Sequence, residues 1–351
     1  MERARIREQY EQYPALCVRD LFKFLFQSSL GCEHLLSDRE TALSYIRRES
    51  TRVSPDALPR TDRLAGQYSR VHLSWLNGGL TPETLSKLFF ASAVKEQGGI
   101  DRLEALLSVA RDMIRRGELP LDPILFEEEL TSWRAAGFPA IHHSDTYREA
   151  YAPAYRVIAN RYAGFLPLFA RLDDLLARGS VILALEGGSA SGKTTLASVL
   201  REVYACRVIH MDDFFLRPEQ RTAERLSEVG GNLDRERFAA EVLPSLIRGE
   251  DITYRPFDCS TRSLLPPVTV EATRLTVVEG AYSLHPAFGG YCDLSVYLDI
   301  SPERQRERIC RRNSPPMAER FFSEWIPLET RYFEKTAVRD RVDLVIRVWE
   351  D

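Results

Sequence analysis

The chain has 351 residues, of which 44% are hydrophobic and 28% are charged, a composition that excludes a disordered, collagen-like or coiled-coil protein. The 47 lysines and arginines stand against 51 aspartates and glutamates, and the formal net charge of -4 argues against a globally basic nucleic-acid-binding protein. At roughly 150 residues per domain, the length predicts about two domains.

The spacing of the cysteines and the length of the apolar stretches indicate the cellular compartment of the protein. The cysteines form no Cys-x-x-Cys pair and lie far apart, at Cys17, Cys32, Cys206, Cys259, Cys292 and Cys310. Such spacing is typical of reduced thiols rather than of disulfides or a zinc ribbon. Because no apolar stretch has membrane-spanning length and the N-terminus lacks a signal core, we expect a cytoplasmic protein without membrane association.

Residues 1–178 are predicted to form an all-helical domain. Leu21, Phe24 and Leu25 show the apolar spacing of three and four that is typical of helices. Thr81 followed by Pro82 indicates a capped helix start. Residues 156–178 predict one long helix that ends at the domain boundary, and the sequence leaves open whether this domain binds an acceptor, dimerises, regulates or carries a second activity.

Two clusters in this first half invite a metal interpretation. In His142, His143, Ser144 and Asp145, adjacent histidines on a helix would point about 100° apart, so a helix cap with surface histidines is preferred over a metal site. The Cys32-Glu33-His34 stretch is similarly ambiguous, and we predict no zinc site there.

After residue 179 the pattern changes to short apolar strands alternating with helices. The predicted strands are Val181–Leu185, Val208–Met211, Leu275–Val278, Leu294–Leu298 and Leu344–Val348. This alternation predicts an α/β domain over residues 179–351, with a five-stranded parallel sheet flanked by helices.

The segment between the first of these strands and the next helix fits the pattern G-x-x-x-x-G-K-[ST] without a gap. This motif predicts that the sheet is of the P-loop NTPase type. Glycines let the backbone N–H groups turn towards phosphate oxygens, and the helix N-terminus adds its positive dipole end. We expect Lys193 to bridge the β- and γ-phosphates and the Thr194 hydroxyl to bind Mg²⁺. The predicted nucleotide-binding residues are Gly187, Gly188, Ser189, Ala190, Ser191, Gly192, Lys193, Thr194 and Thr195.

Asp212 and Asp213 follow the second strand of this domain. A carboxylate at this edge of the sheet faces the γ-phosphate, where it can accept the proton of an attacking hydroxyl and bind the metal. The alternative is an ordinary helix cap. No guanine-reading Asn-Lys-x-Asp motif is present, which argues against a GTPase.

Together, GGSASGKTT and MDDFF resemble the uridine kinase, nicotinamide riboside kinase and phosphoribulokinase group of P-loop kinases, over residues 180–351. The resemblance implies that Asp212 is the catalytic base and that Glu279, at the end of a strand before Gly280, helps to hold magnesium. It also implies that Asp234, after Asn232 and Leu233, binds substrate hydroxyls. The alternatives are a loop-entry acid for Glu279 and a helix cap for Asp234.

The acceptor region departs from this family. Phe257, followed by Asp258, stands where the family has a tyrosine near the base of the acceptor, and Arg262 falls where the pyrimidine kinases have a base-reading histidine. Because arginine offers donors alone and a permanent charge, these substrate-binding candidates disfavour uridine or cytidine and suit an acidic or phosphorylated acceptor.

SPERQRERICRR resembles the arginine-rich lid of the family. Spacings of four and three place Arg304, Arg308 and Arg311 on one helical face. We expect Arg304 and Arg311 to contact the nucleotide and Arg308 to act in catalysis, since arginines that close over the phosphates offset developing charge and exclude water. A solvated basic helix is the alternative, and RNA binding is disfavoured at the net charge of -4.

The sequence therefore predicts an ATP- and Mg²⁺-dependent kinase with an alcohol group as acceptor, on a nucleoside or another ribosyl or polyol metabolite. Two alternatives remain open: an ATP-binding regulatory module without a small acceptor, and a kinase of a macromolecule. The oligomeric state is not predicted.

Overall fold

A computed structural model describes residues 2–31, 38–93 and 99–347. The chain divides into two compact units, Met1–Asp173 and Asp174–Asp351. Cys32, Glu33, His34 and Val348, which entered the predictions above, lie outside the described residues. Within the described ranges, no helix is both long and apolar enough to cross a membrane.

The first unit is helical apart from one small sheet. Its helices are α1 (Glu2–Gln12), α2 (Val18–Leu30), α3 (Arg39–Ser50), α4 (Pro82–Ala91), α5 (Gly99–Arg115), α6 (Pro123–Ala135), α7 (Asp145–Tyr151), α8 (Asn160–Ala163) and α9 (Leu166–Arg178), the last of which crosses the unit boundary. Its strands are β1 (Thr61–Arg63), β2 (Tyr68–His72) and β3 (Tyr155–Ala159), which pair antiparallel in the order β1-β2-β3.

This sheet corrects the prediction of an all-helical first half. β2 carries Arg70 and His72 at buried or half-buried positions, so its inward face lacks the apolar alternation by which a strand is recognised. The predicted long helix over residues 156–178 is wrong at its start, since β3 ends at Ala159 and α9 begins at Leu166. Pairing of β3 with β2 outweighs local helix propensity there.

The histidine cluster of the first unit is a helix cap, as preferred, but one of its histidines is not on the surface. Ser144 caps α7 by accepting a hydrogen bond from Tyr147 N. His143 is buried and its ring nitrogens lie 2.8 Å from Asp20 Oδ1 and 2.6 Å from the Tyr155 hydroxyl. Contacts with residues far along the chain bury this side chain, and spacing in the sequence does not reveal them.

The second unit is an α/β domain. Its helices are α10 (Lys193–Tyr204), α11 (Ala223–Ser227), α12 (Arg235–Glu241), α13 (Leu243–Arg248), α14 (Pro302–Arg312), α15 (Pro315–Arg320), α16 (Ile326–Thr336) and α17 (Val338–Arg341). The central strands are β4 (Val181–Gly187), β5 (Arg207–His210), β10 (Leu275–Glu279), β11 (Leu294–Asp299) and β12 (Leu344–Arg347). Two small antiparallel pairs are formed by β6 (Ile252–Tyr254) with β9 (Val268–Val270) and by β7 (Phe257–Asp258) with β8 (Ser263–Leu264).

The five central strands are all parallel and lie in the order β12-β11-β4-β10-β5, which confirms the predicted sheet. β4 is in the middle, and the chain visits β5 and β10 on one side before it crosses to β11 and β12 on the other. In such sheets ligands bind beyond the carboxyl ends of the strands, where the strand order reverses. We therefore expect a ligand-binding site at the carboxyl end of β4.

Candidate phosphate-binding and catalytic site

The loop between β4 and α10 contains two glycines in conformations that other residues rarely adopt. Gly187 has φ +146°, and a Cβ there would lie 2.7 Å from the carbonyl oxygen of Leu298. Gly192 has φ +101° and immediately precedes α10. These left-handed or otherwise strained conformations favour glycine, and they let the loop curl directly into the helix N-terminus, as an anion-binding loop requires.

The Lys193 side chain bonds inside the loop, and the Thr194 side chain bonds to the neighbouring strand β10. Lys193 is buried, and its ammonium donates to the carbonyl oxygens of Gly187, at 2.8 Å, and Gly188, at 2.9 Å. The hydroxyl of Thr194 donates to Glu279 Oε1 at 3.1 Å. The predicted phosphate-binding loop is thereby brought next to the predicted metal-binding carboxylate.

Asp212 lies in a 3₁₀ turn, Met211–Phe214, which directly follows β5. The residue is exposed at the surface, yet the protein atoms around its carboxylate desolvate the charged form and raise its pKa. The neighbouring Glu279 raises the pKa further, whereas Lys193 and His210 lower it. Two predicted catalytic groups, Asp212 and Lys193, are therefore within electrostatic reach of each other.

Glu279 ends β10, the strand between β4 and β5, and lies directly opposite His210 in the parallel register. His210 Nδ1 is 2.6 Å from Glu279 Oε1, and this hydrogen bond raises the pKa of the imidazole. The sequence analysis missed His210. Its position was the signal in the sequence, because a polar residue at the carboxyl end of a parallel strand lies at the same edge of the sheet as the phosphate-binding loop.

Two glutamates that the sequence analysis missed hold the loop in place. Glu186 is 0% exposed and accepts hydrogen bonds from the N–H groups of Gly187, Tyr282 and Leu284 and from the Tyr332 hydroxyl. Burial raises the pKa of Glu186 to about 7, although these hydrogen bonds lower it. It stands immediately before the first loop glycine, which was its only signal in the sequence.

Glu329, in α16, is the second of these glutamates and is 7% exposed. Its two carboxylate oxygens accept from the N–H of Ser189, at 2.8 Å, and from the Ser189 hydroxyl, at 2.6 Å. Burial raises the pKa of this carboxyl, and the charge of Lys193 counters the increase. A carboxylate thus binds an N–H of the phosphate-binding loop itself.

The predicted lid is α14, and one of its faces meets the loop. Gln305 Nε2 donates to Ser189 O at 2.8 Å, and Arg308 Nη1 lies 3.3 Å from Ala190 O. Arg304 instead pairs with Glu307 at 2.9 Å, and Arg311 is exposed. In this conformation Arg308 and the unpredicted Gln305 are the residues of α14 whose hydrogen bonds reach the loop carbonyls.

Asp234 is buried at the start of α12, where it plays the capping role that the sequence left open. It accepts from Arg237 N at 3.2 Å and from Gln220 Nε2 at 2.9 Å. Asp213, next to the candidate base, accepts from the Tyr254 hydroxyl at 2.8 Å. A substrate contact of Asp234 stays a prediction.

The remaining acceptor candidates belong to the β7–β8 hairpin, which packs against the turn that carries Asp212. Phe257 is buried, and Asp258 shapes the turn by accepting from Ser260 and Thr261. Arg262 is exposed, with φ +54°. The hairpin therefore places these residues beside the candidate base rather than in the other unit.

The oxygen donors at this edge of the sheet fit a magnesium ion. The Thr194 hydroxyl and the carboxylates of Asp212 and Glu279 are hard ligands, and the repulsion between the two carboxylates would be relieved by a divalent cation. Among the described residues there is no group of three or more His, Cys, Asp or Glu side chains that could hold a metal by itself. Mg²⁺ is commonly bound through one or two carboxylates together with substrate phosphates.

Comparisons with known proteins found similarity among solved structures. No protein-family model and no curated protein matches the chain. Among solved structures, the chain is similar to a possible uridine kinase from Bacillus stearothermophilus, with 22% identity and a TM-score of 0.39, over 51% of this chain and 98% of that one. It is also similar to TT1252 from Thermus thermophilus, with 18% identity and a TM-score of 0.28, over 49% and 91% of the two chains.

Similarity this low says nothing about activity. The second unit has an α/β fold of the P-loop NTPase type, as its strand order and the glycine-rich loop after the central strand show.

Proposed function

We propose that the protein is an ATP-dependent phosphotransferase that moves the γ-phosphoryl group of ATP to a hydroxyl of a small molecule, as uridine kinase-like enzymes do. The observation that carries the proposal is the position of Asp212. Its carboxylate follows β5 at the same edge of the sheet as the phosphate-binding loop and is electrostatically coupled to Lys193. A carboxylate at this place can accept the proton of an attacking hydroxyl.

In the proposed reaction, the N–H groups of the loop and the ammonium of Lys193 bind the ATP phosphates. Asp212 accepts the proton of the acceptor hydroxyl as its oxygen forms a bond to the γ-phosphorus. The bond from that phosphorus to the oxygen of ADP breaks, and Lys193 and Arg308 stabilise the charge that spreads over the moving group.

Thr194, Asp212 and Glu279 are the residues that would hold Mg²⁺. When bound, the ion neutralises charge on the β- and γ-phosphate oxygens. His210 keeps Glu279 oriented through their hydrogen bond of 2.6 Å, and Glu186 supports the loop through its bond to Gly187 N.

The acceptor is a nucleoside or another ribosyl or polyol metabolite, bound beside the β7–β8 hairpin by Asp234, Phe257, Asp258 and Arg262. The arginine is exposed and carries a permanent charge, which favours an acceptor that itself bears a negative charge.

The test is a transfer assay with γ-labelled ATP and two panels of hydroxyl acceptors, neutral nucleosides and phosphorylated sugars. Asp212→Asn is expected to lower transfer by about 10²- to 10⁴-fold while it leaves ATP binding largely intact. Asp340→Asn, at an exposed position of α17, is the matched control and should transfer normally.

Full transfer by Asp212→Asn would disprove the assignment of the base. Slow ATP turnover that no small acceptor stimulates would favour the regulatory module instead. Label found in RNA or in protein would favour the macromolecular kinase.

A further inference from the structure

One face of the sheet in the first unit is polar and buried. In the antiparallel register Asp62 lies opposite Arg70, and His72 lies opposite Tyr155. Residues opposite each other share a face, as do residues two apart along a strand, so all four side chains point the same way. Buried faces of small antiparallel sheets are normally apolar, and this departure calls for a physical reason.

Arg70 is the largest charged group on that face and is 1% exposed. Its Nε donates to Gln27 Oε1 at 2.9 Å, and its Nη1 lies 3.4 Å from Gln9 Oε1. The guanidinium lies 4.9 Å from the centre of the Tyr155 ring. Within the part of the chain that the structure describes, no carboxylate forms an ion pair with this arginine.

Two buried acids of the first unit, Asp62, which lies opposite Arg70, and Asp20, form hydrogen bonds with other partners. Asp62 accepts from the Tyr13 hydroxyl at 2.5 Å and lies 2.8 Å from His72 Nε2. Asp20 accepts from the Ser144 hydroxyl at 2.6 Å and lies 2.8 Å from His143 Nδ1. Arg70 is thus a buried cation with amide and aromatic neighbours in place of a counter-ion, an arrangement that is costly in a protein interior.

Two hydrogen-bond donors next to each other have no acceptor. Arg70 Nη2 and Gln9 Nε2 are both buried and unpaired in the described structure, and the two side chains touch through Gln9 Oε1. Buried polar groups are almost always satisfied. An acceptor with two oxygens and a negative charge, such as a carboxylate or a phosphate group, would satisfy both donors and the charge together.

We propose that Gln9, Gln27, Arg70 and Tyr155, named here the Arg70 cluster, form a second ligand site, in the first unit, that binds a small anion through a carboxylate or phosphate group. This site lies outside the P-loop and does not depend on the proposed phosphotransfer. If the anion belongs to a metabolite, the first unit is a binding module in its own right.

The helix α1 is the element that would admit the anion, because it contributes Gln9 to the cluster. The buried residues of α1 are Ile6 and Gln9. Ion pairs of Arg3 with Asp112 and Glu118 also hold it, and such partly exposed pairs contribute little stability. The cover of the site is thus attached by few buried contacts.

The test measures the thermal unfolding of the full chain with the P-loop disabled by Lys193→Ala, so that phosphate binding at that loop does not interfere. Sodium phosphate and sodium malonate are the two probes, and they distinguish a phosphate from a carboxylate ligand. At a concentration of about ten times its dissociation constant, the better probe should raise the Tm of the first unit by about 3–5 °C. In Lys193→Ala/Arg70→Met the rise should vanish.

Lys193→Ala/Arg52→Met is the matched control, since Arg52 is exposed in the same unit and its loss changes the net charge equally. It should keep the rise. An equal rise with Arg70→Met, or no rise with either probe, would overturn the proposal. If Arg70→Met does not fold, Lys193→Ala/Gln9→Leu replaces it, and there the affinity for the probe should fall about fivefold; unchanged affinity would count against the site.

Discussion

Single side chains around the phosphate-binding loop form a connected electrostatic system. Glu279 accepts from the Thr194 hydroxyl, bonds to His210 and raises the pKa of Asp212, whose carboxylate is also influenced by Lys193. A change at one of these groups therefore alters the protonation of the others, and the pH dependence of the reaction is a direct measure of this coupling.

The raised pKa of Asp212 predicts where activity is lost in acid. A protonated carboxyl accepts no proton, so kcat should fall as the pH drops through that pKa, at a pH above the 3.8 of an ordinary aspartate. His210 lowers the pKa of Asp212, and His210→Gln should move the acid limb to higher pH. The measurement is kcat against pH for both proteins. If the acid limb stays at the same pH in His210→Gln, His210 does not influence the pKa of the base.

Replacement of Glu186 by glutamine is expected to change the stability of the protein rather than the pH profile of catalysis. In Glu186→Gln the amide NH₂ would face N–H donors that now bind carboxylate oxygens. We expect a loss of about 1–3 kcal/mol in the free energy of unfolding, measured with urea near pH 5, below the raised pKa of Glu186, where this residue still contributes to stability. Glu334→Gln, exposed in α16, is the control and should change little.

The same residue makes a signed prediction for pH. Because its pKa is raised from 4.5 to about 7 in the folded state, the folded protein binds more protons than the unfolded chain between these values. The contribution of Glu186 to stability is therefore greatest below about pH 4.5 and is lost as the pH rises to about 7. Glu186→Gln should lose this slope, and a slope that persists unchanged would assign it to other groups.

Among the structural elements, α14 and α16 determine how the loop is held. Gln305 and Arg308 bond to loop carbonyls from α14, and Glu329 bonds to Ser189 from α16. The two helices therefore contact the loop through both its donors and its acceptors. Movement of these helices and the geometry of the loop are coupled.

Glu329→Gln tests whether the α16 carboxylate opposes nucleotide binding. A buried negative charge beside Lys193 repels the phosphates, and the neutral amide keeps the shape and one acceptor for Ser189 N. We expect ATP to bind roughly tenfold more tightly, a change of about 1.4 kcal/mol, by calorimetry. Glu334→Gln should bind as the unaltered protein does, and weaker binding by Glu329→Gln would show that the carboxylate supports the loop instead.

The whole molecule consists of two units with separate cores. One apolar cluster includes Phe22, Leu107 and Trp133, and the other includes Phe214, Phe238 and Tyr332. A domain with its own core can unfold by itself.

We therefore expect two transitions in calorimetric unfolding, of which Mg²⁺ with a non-hydrolysable ATP analogue raises one. Ligand that binds the folded state alone stabilises it by mass action, and the loop belongs to the second unit. Lys193→Ala should abolish the increase. An analogue that raised both transitions equally would contradict independent unfolding of the units.

The sequence by itself determined the parts of this protein that are local along the chain. The loop spans eight consecutive residues from Gly187 to Thr194, and Asp212 directly follows an apolar strand. Residue spacing and the apolar pattern of the strands were therefore sufficient to predict both. The order of the five parallel strands confirmed the predicted sheet. Polar inward positions in β2, such as Arg70, hid the sheet of the first unit, because strand recognition depends on apolar alternation.

Tertiary structure alone decided which distant side chains meet. His210 and Glu279 are 69 positions apart, Ser189 and Glu329 are 140 apart, and Gln9 and Arg70 are 61 apart. Each pair is brought together by strand order or helix packing. Side-chain spacing along the chain carries no record of contacts made across a core, because burial and hydrogen bonding depend on distance in space.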